Sequence, residues 1–181
     1  SHAGVFGQSM KEQFEKQNIN LLQATVSTTY PLLETKGPKA SCELIDYMFK
    51  TFIPKHEKEI DEVILVGFWG SQQYSDQELK SNLTEVIKYF EDKKIKLKMI
   101  GQTPSYSIIF PNILALQIKN SKIKEYNYLE SRSTHANDFL KSFISPQIYI
   151  DVFDLPHIVK YNGTDPYMHD DDHLSKFGAD Q

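Results

Sequence analysis

The chain has 181 residues, 40% hydrophobic and 24% charged, the size and balance of one domain with a core of its own. Its 20 basic and 24 acidic residues leave a net charge of -4, which gives no electrostatic footprint for nucleic acid and sets a DNA- or RNA-binding role aside. No apolar run approaches the roughly 20 residues of a membrane helix, and a single cysteine, Cys42, excludes an internal disulfide.

Val5, Phe6, Met10 and Phe14 recur near helical spacing among Gln, Lys and Glu, so residues 4 to 17 are expected to form an amphipathic helix directly after Ser1. Unpaired N–H groups and the macrodipole at that helix start would favour an oxyanion forming beside Ser1, although a plain N-cap role fits Ser1 equally. Ile19 to Val26 predicts a strand, Ser27 to Leu33 a loop, and Lys36 to Ala40, with Gly37 and Pro38, a surface turn. Ser41 is placed to cap a helix carrying Leu44, Ile45, Met48, Phe49 and Phe52, which Pro54 interrupts or ends.

Glu62 to Phe68 holds the unbroken run Val63-Ile64-Leu65-Val66-Gly67, as expected of a parallel strand covered on both faces, with Trp69-Gly70-Ser71 at its C-terminal end. From Asp76 a helix places Leu79, Leu83, Val86, Ile87 and Phe90 on one face. Ile95 to Ile100 predicts the next strand, ending at Gly101-Gln102-Thr103-Pro104. Between Ser105 and about Glu130, Ile108, Ile109, Ile113 and Leu114 require burial, while Pro111 argues against a long element. Ser133 opens a further helix through Phe139, Leu140, Phe143 and Ile144, followed by a short strand from Gln147 to Val152 and by turns at Pro156, Gly163 and Pro166.

Strands alternating with helices, without a repeat or low-complexity run, predict an α/β fold, a three-layer α/β/α arrangement around a mainly parallel sheet, over residues 1–181 as a single domain. Ligands bind such sheets at the carboxyl ends of strands. Ser1, Trp69-Gly70-Ser71, Gly101-Gln102 and Asp170 to His173 all fall in segments expected to follow strands. Trp69, Tyr74 and Tyr106, if exposed, could stack on sugar rings; packing in the core or at its rim is their default role.

The stretch Tyr167-Met168-His169-Asp170-Asp171-Asp172-His173-Leu174-Ser175-Lys176-Phe177-Gly178-Ala179 draws most attention. Asp170 and His173 stand three residues apart in an acidic turn, and a carboxylate beside an imidazole is what a serine nucleophile needs: it fixes the tautomer and stabilises the imidazolium. A solvated acidic loop with an incidental histidine is the plain alternative. No Cys/His set has zinc spacing. His169, Asp170, Asp171 and His173 lack a distant third arm, so neither a metal nor a cofactor is expected.

The start Ser1-His2-Ala3-Gly4, the Tyr30-Pro31-Leu32-Leu33 segment, Val66-Gly67-Phe68-Trp69-Gly70, Ile100-Gly101-Gln102-Thr103-Pro104 and Asp170-Asp171-Asp172-His173-Leu174-Ser175-Lys176-Phe177-Gly178-Ala179 come in this order over nearly the whole chain. Together they resemble the SGNH hydrolase superfamily, flavodoxin-like in fold. The nearest resemblance is to the periplasmic SGNH domain fused to acyltransferase-3 membrane proteins, which O-acetylate bacterial surface glycans. The resemblance implies Ser1 as nucleophile, His173 as general base and then acid, Asp170 as its orienting carboxylate, and Trp69, Gly70 and Ser71 at the oxyanion and substrate side. It implies a glycan acceptor, an acetyl donor delivered by a membrane acyltransferase domain, a location on the extracytoplasmic face of the inner membrane, and a parent protein of which this chain is a piece. An esterase with the same triad and a non-catalytic glycan-binding module are the alternatives. Two departures stand out: no Asn takes the oxyanion position at the Trp69-Gly70-Ser71 strand end, and Tyr30 stands where many relatives have a Cys, leaving Cys42 without a partner.

Overall fold

The computed structural model describes residues 2–155 and 157–181; Ser1, the expected nucleophile, and Pro156, an expected turn residue, lie outside the described residues. Three parallel strands form one sheet in the order β1-β2-β3: β1 Glu62–Val66, β2 Lys96–Ile100 and β3 Tyr149–Ile150. Glu62 pairs with Lys96 and Val66 with Ile100, while Met99 and Ile100 face Tyr149 and Ile150. The short third strand is extended on either side of its ladder by Met99 N–H to Ile148 O and Gly101 N–H to Ile150 O.

The helices are α1 His2–Glu15, α2 Lys39–Tyr47, α3 Ile53–His56, α4 Asp76–Lys93, α5 Phe110–Lys119, α6 Ser131–Lys141 and α7 Lys176–Ala179. Ser75 caps α4 reciprocally with Glu78, and Leu79, Leu83, Val86 and Phe90 form its buried stripe. Between α2 and α3 the chain widens into a π turn, Met48–Phe52. Pro54, which has no N–H to offer the preceding turn, follows at once in the first turn of α3.

Because side chains alternate along a strand, Val63, Leu65, Leu97, Met99 and Tyr149 share one face, and these residues join the larger core with α2, α3, α4 and α6. A second core gathers Tyr106, Phe110, Ile113, Tyr167, Met168 and Leu174, with Val5 and Phe6 of α1 packed against it. Helix α1 also packs on α7 and β1. The terminal elements therefore meet, and the segment before α7 is held inside the second core.

Several boundaries differ from the sequence expectation. Residues 19–26 form no strand: Ile19, Leu21 and Leu22 are exposed, and only Val26 packs on the core, so the apolar run never acquires a ladder partner among the described residues. The helix expected after Ser41 begins at Lys39 behind Pro38, and the Ser41 hydroxyl donates to Ser27 O instead of capping. Pro111 opens α5 in its first turn, where a missing N–H costs nothing. Helix α6 starts at Ser131, two residues ahead of Ser133; the Ser133 hydroxyl is buried against Glu130 O and Ser105 N–H.

Candidate active site

The loop before α7 is a closed turn. Met168 and Leu174 pair as an antiparallel bridge, His169 N–H donates to His173 O at 3.1 Å, and both bridge residues are buried. Within the turn, Asp170 Oδ1 accepts the backbone N–H groups of Asp172 (3.0 Å) and His173 (2.7 Å), an Asx-type turn that a short side chain ending in an acceptor oxygen builds. From outside, Tyr106 N–H donates to Asp171 O at 2.9 Å and Phe110 N–H to Asp170 O at 3.0 Å. The segment leaving β2 and the first residue of α5 thus hold the turn at the C-terminal end of the sheet. Gly178 completes the seat: a Cβ there would lie 2.0 Å from Tyr167 O, a backbone atom that cannot yield.

His173 Nδ1 lies 3.0 Å from Asp170 Oδ2 and 2.6 Å from Asp172 Oδ1. His169 stacks on His173 with ring centroids 5.7 Å apart, and its Nε2 lies 3.3 Å from the same Asp170 oxygen. Burial pushes the Asp170 carboxyl up, but hydrogen bonds from the backbone of His173 and Asp172 and from the His173 ring outweigh it and hold the group below its ordinary value. Asp172 goes the other way. Burial raises it, His173 and Arg132 lower it, and repulsion from Asp170 and Asp171 adds to the rise. A proton fixed on Nδ1 by carboxylates makes Nε2 the basic nitrogen of His173, the arrangement a general base requires. The donor atoms of His169, Asp170 and His173, and those of Asp170, Asp171 and Asp172, are each close enough together to hold a cation.

At the end of β1 the polar groups are engaged differently. Trp69 is buried with its indole N–H on Ile100 O (2.9 Å), and Gly70 N–H donates to the buried Gln102 Oε1 (2.8 Å). The Ser71 hydroxyl donates to the Tyr30 hydroxyl at 2.7 Å, which in turn donates to Trp69 O at 2.8 Å. Tyr30 stacks on Tyr74 and tilts against Trp69. Trp69, Tyr74 and Tyr106 are all buried, the core packing that is their default role, which rules out the alternative of stacking on a sugar.

These two regions are bridged by Arg132. Its guanidinium lies 5.3 Å from the Phe68 ring, is paired with Glu130, and lowers Asp172 electrostatically. Asp170 and His173 are brought together as expected; Trp69, Gly70 and Ser71 stand at the β1 end, joined to Gln102 of the β2 end. Gly101-Gln102 was expected at this edge and Tyr30 in a matching segment, but not their bracing of Gly70 and Ser71; Arg132 was missed, and carried no signal beyond its neighbours.

The described helices include none long and apolar enough to cross a membrane. The chain superposes with a TM-score of 0.74 on the periplasmic domain of a lipopolysaccharide acetyltransferase from Salmonella ser. Paratyphi A, at 14% identity over 99% of this chain and 76% of that one. At that identity the likeness speaks for the fold. Among curated proteins no relative matches. The model of the SGNH domain fused to AT3 domains matches residues 1–181, and the chain belongs to that family.

Proposed function

We propose that this domain moves an acetyl group, by way of an acyl-enzyme on Ser1, onto a hydroxyl of a bacterial cell-surface glycan. The observation that carries the reading is Asp170 held against His173 Nδ1 in a turn tied to the C-terminal end of the sheet. Val5 and Phe6, in the first two turns of the helix that follows Ser1, pack in the same core as Met168 and Leu174, which bracket that turn. Family membership points to a membrane AT3 domain as the source of the acetyl group, and the structural neighbour is the periplasmic domain of a lipopolysaccharide acetyltransferase; both support a site on the extracytoplasmic face of the membrane.

In the proposed cycle, His173 Nε2 takes the Ser1 hydroxyl proton while Oγ attacks the acetyl carbonyl carbon, and Asp170 meets the imidazolium charge. Collapse expels the donor's leaving group with that proton and leaves an acetyl ester on Ser1. A sugar hydroxyl then gives its proton to Nε2, attacks the acetyl carbon, and Ser1 departs as its alcohol. Positioned proton transfer of this kind is typically worth ~10²–10⁴ in rate. The N-terminus of α1 supplies a positive dipole for the oxyanion. Gly70 N–H is already paired with a buried amide, so Trp69-Gly70-Ser71 is assigned to the substrate-side wall.

The test is incubation with p-nitrophenyl acetate, with and without a polysaccharide acceptor, measuring acetylated glycan against free acetate. Acetylated glycan that disappears in Ser1→Ala supports the proposal. Acetate alone makes the domain an esterase, and neither product from folded protein refutes catalysis and leaves a glycan-binding module.

A further inference from the structure

The Asp-x-x-His pairing accounts for one carboxylate on His173, yet two others lie in the same turn. Asp171 offers its backbone carbonyl to Tyr106. Asp172 is different: its Oδ1 lies 2.6 Å from His173 Nδ1, closer than Asp170 Oδ2 at 3.0 Å. The three Asp–His contacts also divide unevenly. Asp170 uses Oδ1 to accept two backbone N–H groups, and its Oδ2 faces both His173 Nδ1 and, at 3.3 Å, His169 Nε2. Whenever His169 is charged, it competes for the oxygen that would orient His173.

We propose that Asp172 is a second positioning carboxylate for His173, sharing the Nδ1 proton with Asp170 and keeping the ring in the Nδ1–H tautomer when His169 draws on Asp170. The proposal rests on His173 being the general base. One N–H can point between two carboxylate oxygens, and charge-assisted hydrogen bonds are the strong ones. Holding two carboxylates on one proton requires something to offset their repulsion. His173 supplies most of that offset and Arg132 from the start of α6, anchored by Glu130 and laid over Phe68, adds a smaller part, so that Asp172 stays above its ordinary value. Among the described residues, the charged groups acting on the Asp172 carboxylate include His173, Asp170 and Asp171 of its own turn and Arg132 from α6. The side chains of Asp172 and His173 are both mostly covered, at 20% and 26% exposure, so the contact is shielded from the screening that weakens surface pairs.

The role separates from the fold-building role of Asp170. Asp170 both makes the turn and orients the ring, whereas the Asp172 carboxylate meets the ring at Nδ1. An isosteric Asp172→Asn should keep the turn, move the His173 tautomer balance away from Nδ1–H, and lower kcat about tenfold with KM unchanged, the size of one lost hydrogen bond to an ion. Asp171→Asn is the control and should change neither.

The experiment uses the full chain labelled with ¹⁵N, reading the His173 ring nitrogens by NMR in the wild type, Asp172→Asn, Asp172→Glu and Asp171→Asn, alongside p-nitrophenyl acetate hydrolysis. A shifted tautomer balance in Asp172→Asn, with recovery in Asp172→Glu, is the expected result. Unchanged ring nitrogens in folded Asp172→Asn overturn the proposal whatever the activity. If the wild type hydrolyses nothing while the tautomer still shifts, the acyl-transfer reading fails and the hold of Asp172 on His173 stands. Should Asp172→Asn not fold, Asp172→Ser removes the same carboxylate with less volume, and the same spectral outcomes decide.

Discussion

The turn after β1 and the turn before α7 stand at the same end of the sheet and use their polar groups in opposite ways. In Trp69-Gly70-Ser71 the indole, the Gly70 N–H and the Ser71 hydroxyl all end on Ile100, Gln102 and Tyr30, beneath a lid of aromatic rings. In His169 to His173 the bonds to Tyr106, Phe110 and the Asp170 carboxylate satisfy the backbone, which leaves imidazoles and carboxylates facing one another, partly open to solvent. A segment whose polar groups are all spent on neighbouring elements is a brace. One whose backbone bonds are met with ionisable side chains left over can present those side chains for chemistry.

Substitutions in the two turns should therefore fail differently. The largest effect is expected for Asp170→Asn: the amide oxygen can still accept the Asp172 and His173 N–H groups, but the ionised carboxylate that Asp170 sets against Nδ1 is gone and only Asp172 remains there. Turnover should fall about 10³–10⁴-fold, the scale seen when a triad carboxylate is neutralised, with little change in the melting temperature. Asp171→Asn should leave turnover intact, and equal losses at Asp170, Asp171 and Asp172 would point to a field or cation site instead.

Tyr30→Phe should do the reverse. It strands the buried Trp69 carbonyl and removes the partner of the half-buried Ser71 hydroxyl, a cost of about 1–3 kcal/mol. For a domain of this size that lowers the melting temperature by roughly 2–4 °C per kcal/mol, while kcat falls only in proportion to any loosening of the wall.

Acid should tell the two aspartates apart by sign. Asp170 is held below its ordinary value of 3.8 when folded, so its ionised form stabilises the fold; that contribution is present above the ordinary value and lost as pH falls through the folded one. Asp172 is raised above 3.8, so the fold disfavours its charge, and protonation through its folded value relieves the repulsion. At pH 7 Asp172→Asn should melt no lower than wild type and Asp170→Asn should melt slightly lower, the latter difference vanishing once pH falls below the folded value of Asp170. The smallest effect belongs to Cys42, the sole cysteine, whose thiol sits against Thr35 O and Gly37 O. Cys42→Ser should leave turnover unchanged, and the thiol should titrate with a disulfide reagent.

The sheet and the pairing of Asp170 with His173 were legible because each rests on a local pattern. Val63-Ile64-Leu65-Val66 admits few readings, and the Asp170 to His173 spacing is itself the turn. The expected strand at Ile19 to Val26 failed because apolar content alone does not supply a ladder partner. Pro111 was read as a breaker because its effect depends on whether it sits inside a helix or in its first turn. The bracing of Gly70 by Gln102 and of Ser71 by Tyr30 joins residues 32 and 41 positions apart, and no local pattern carries such a pairing.

The central claim is that Ser1 is the nucleophile served by His173. It is tested most directly by treating the full chain with a fluorophosphonate serine probe and mapping the labelled peptide. The account predicts label on Ser1, lost in His173→Ala and strongly reduced in Asp170→Asn. Label on Ser71 or another serine, or unlabelled Ser1 in protein that still cleaves acetyl esters, would contradict it.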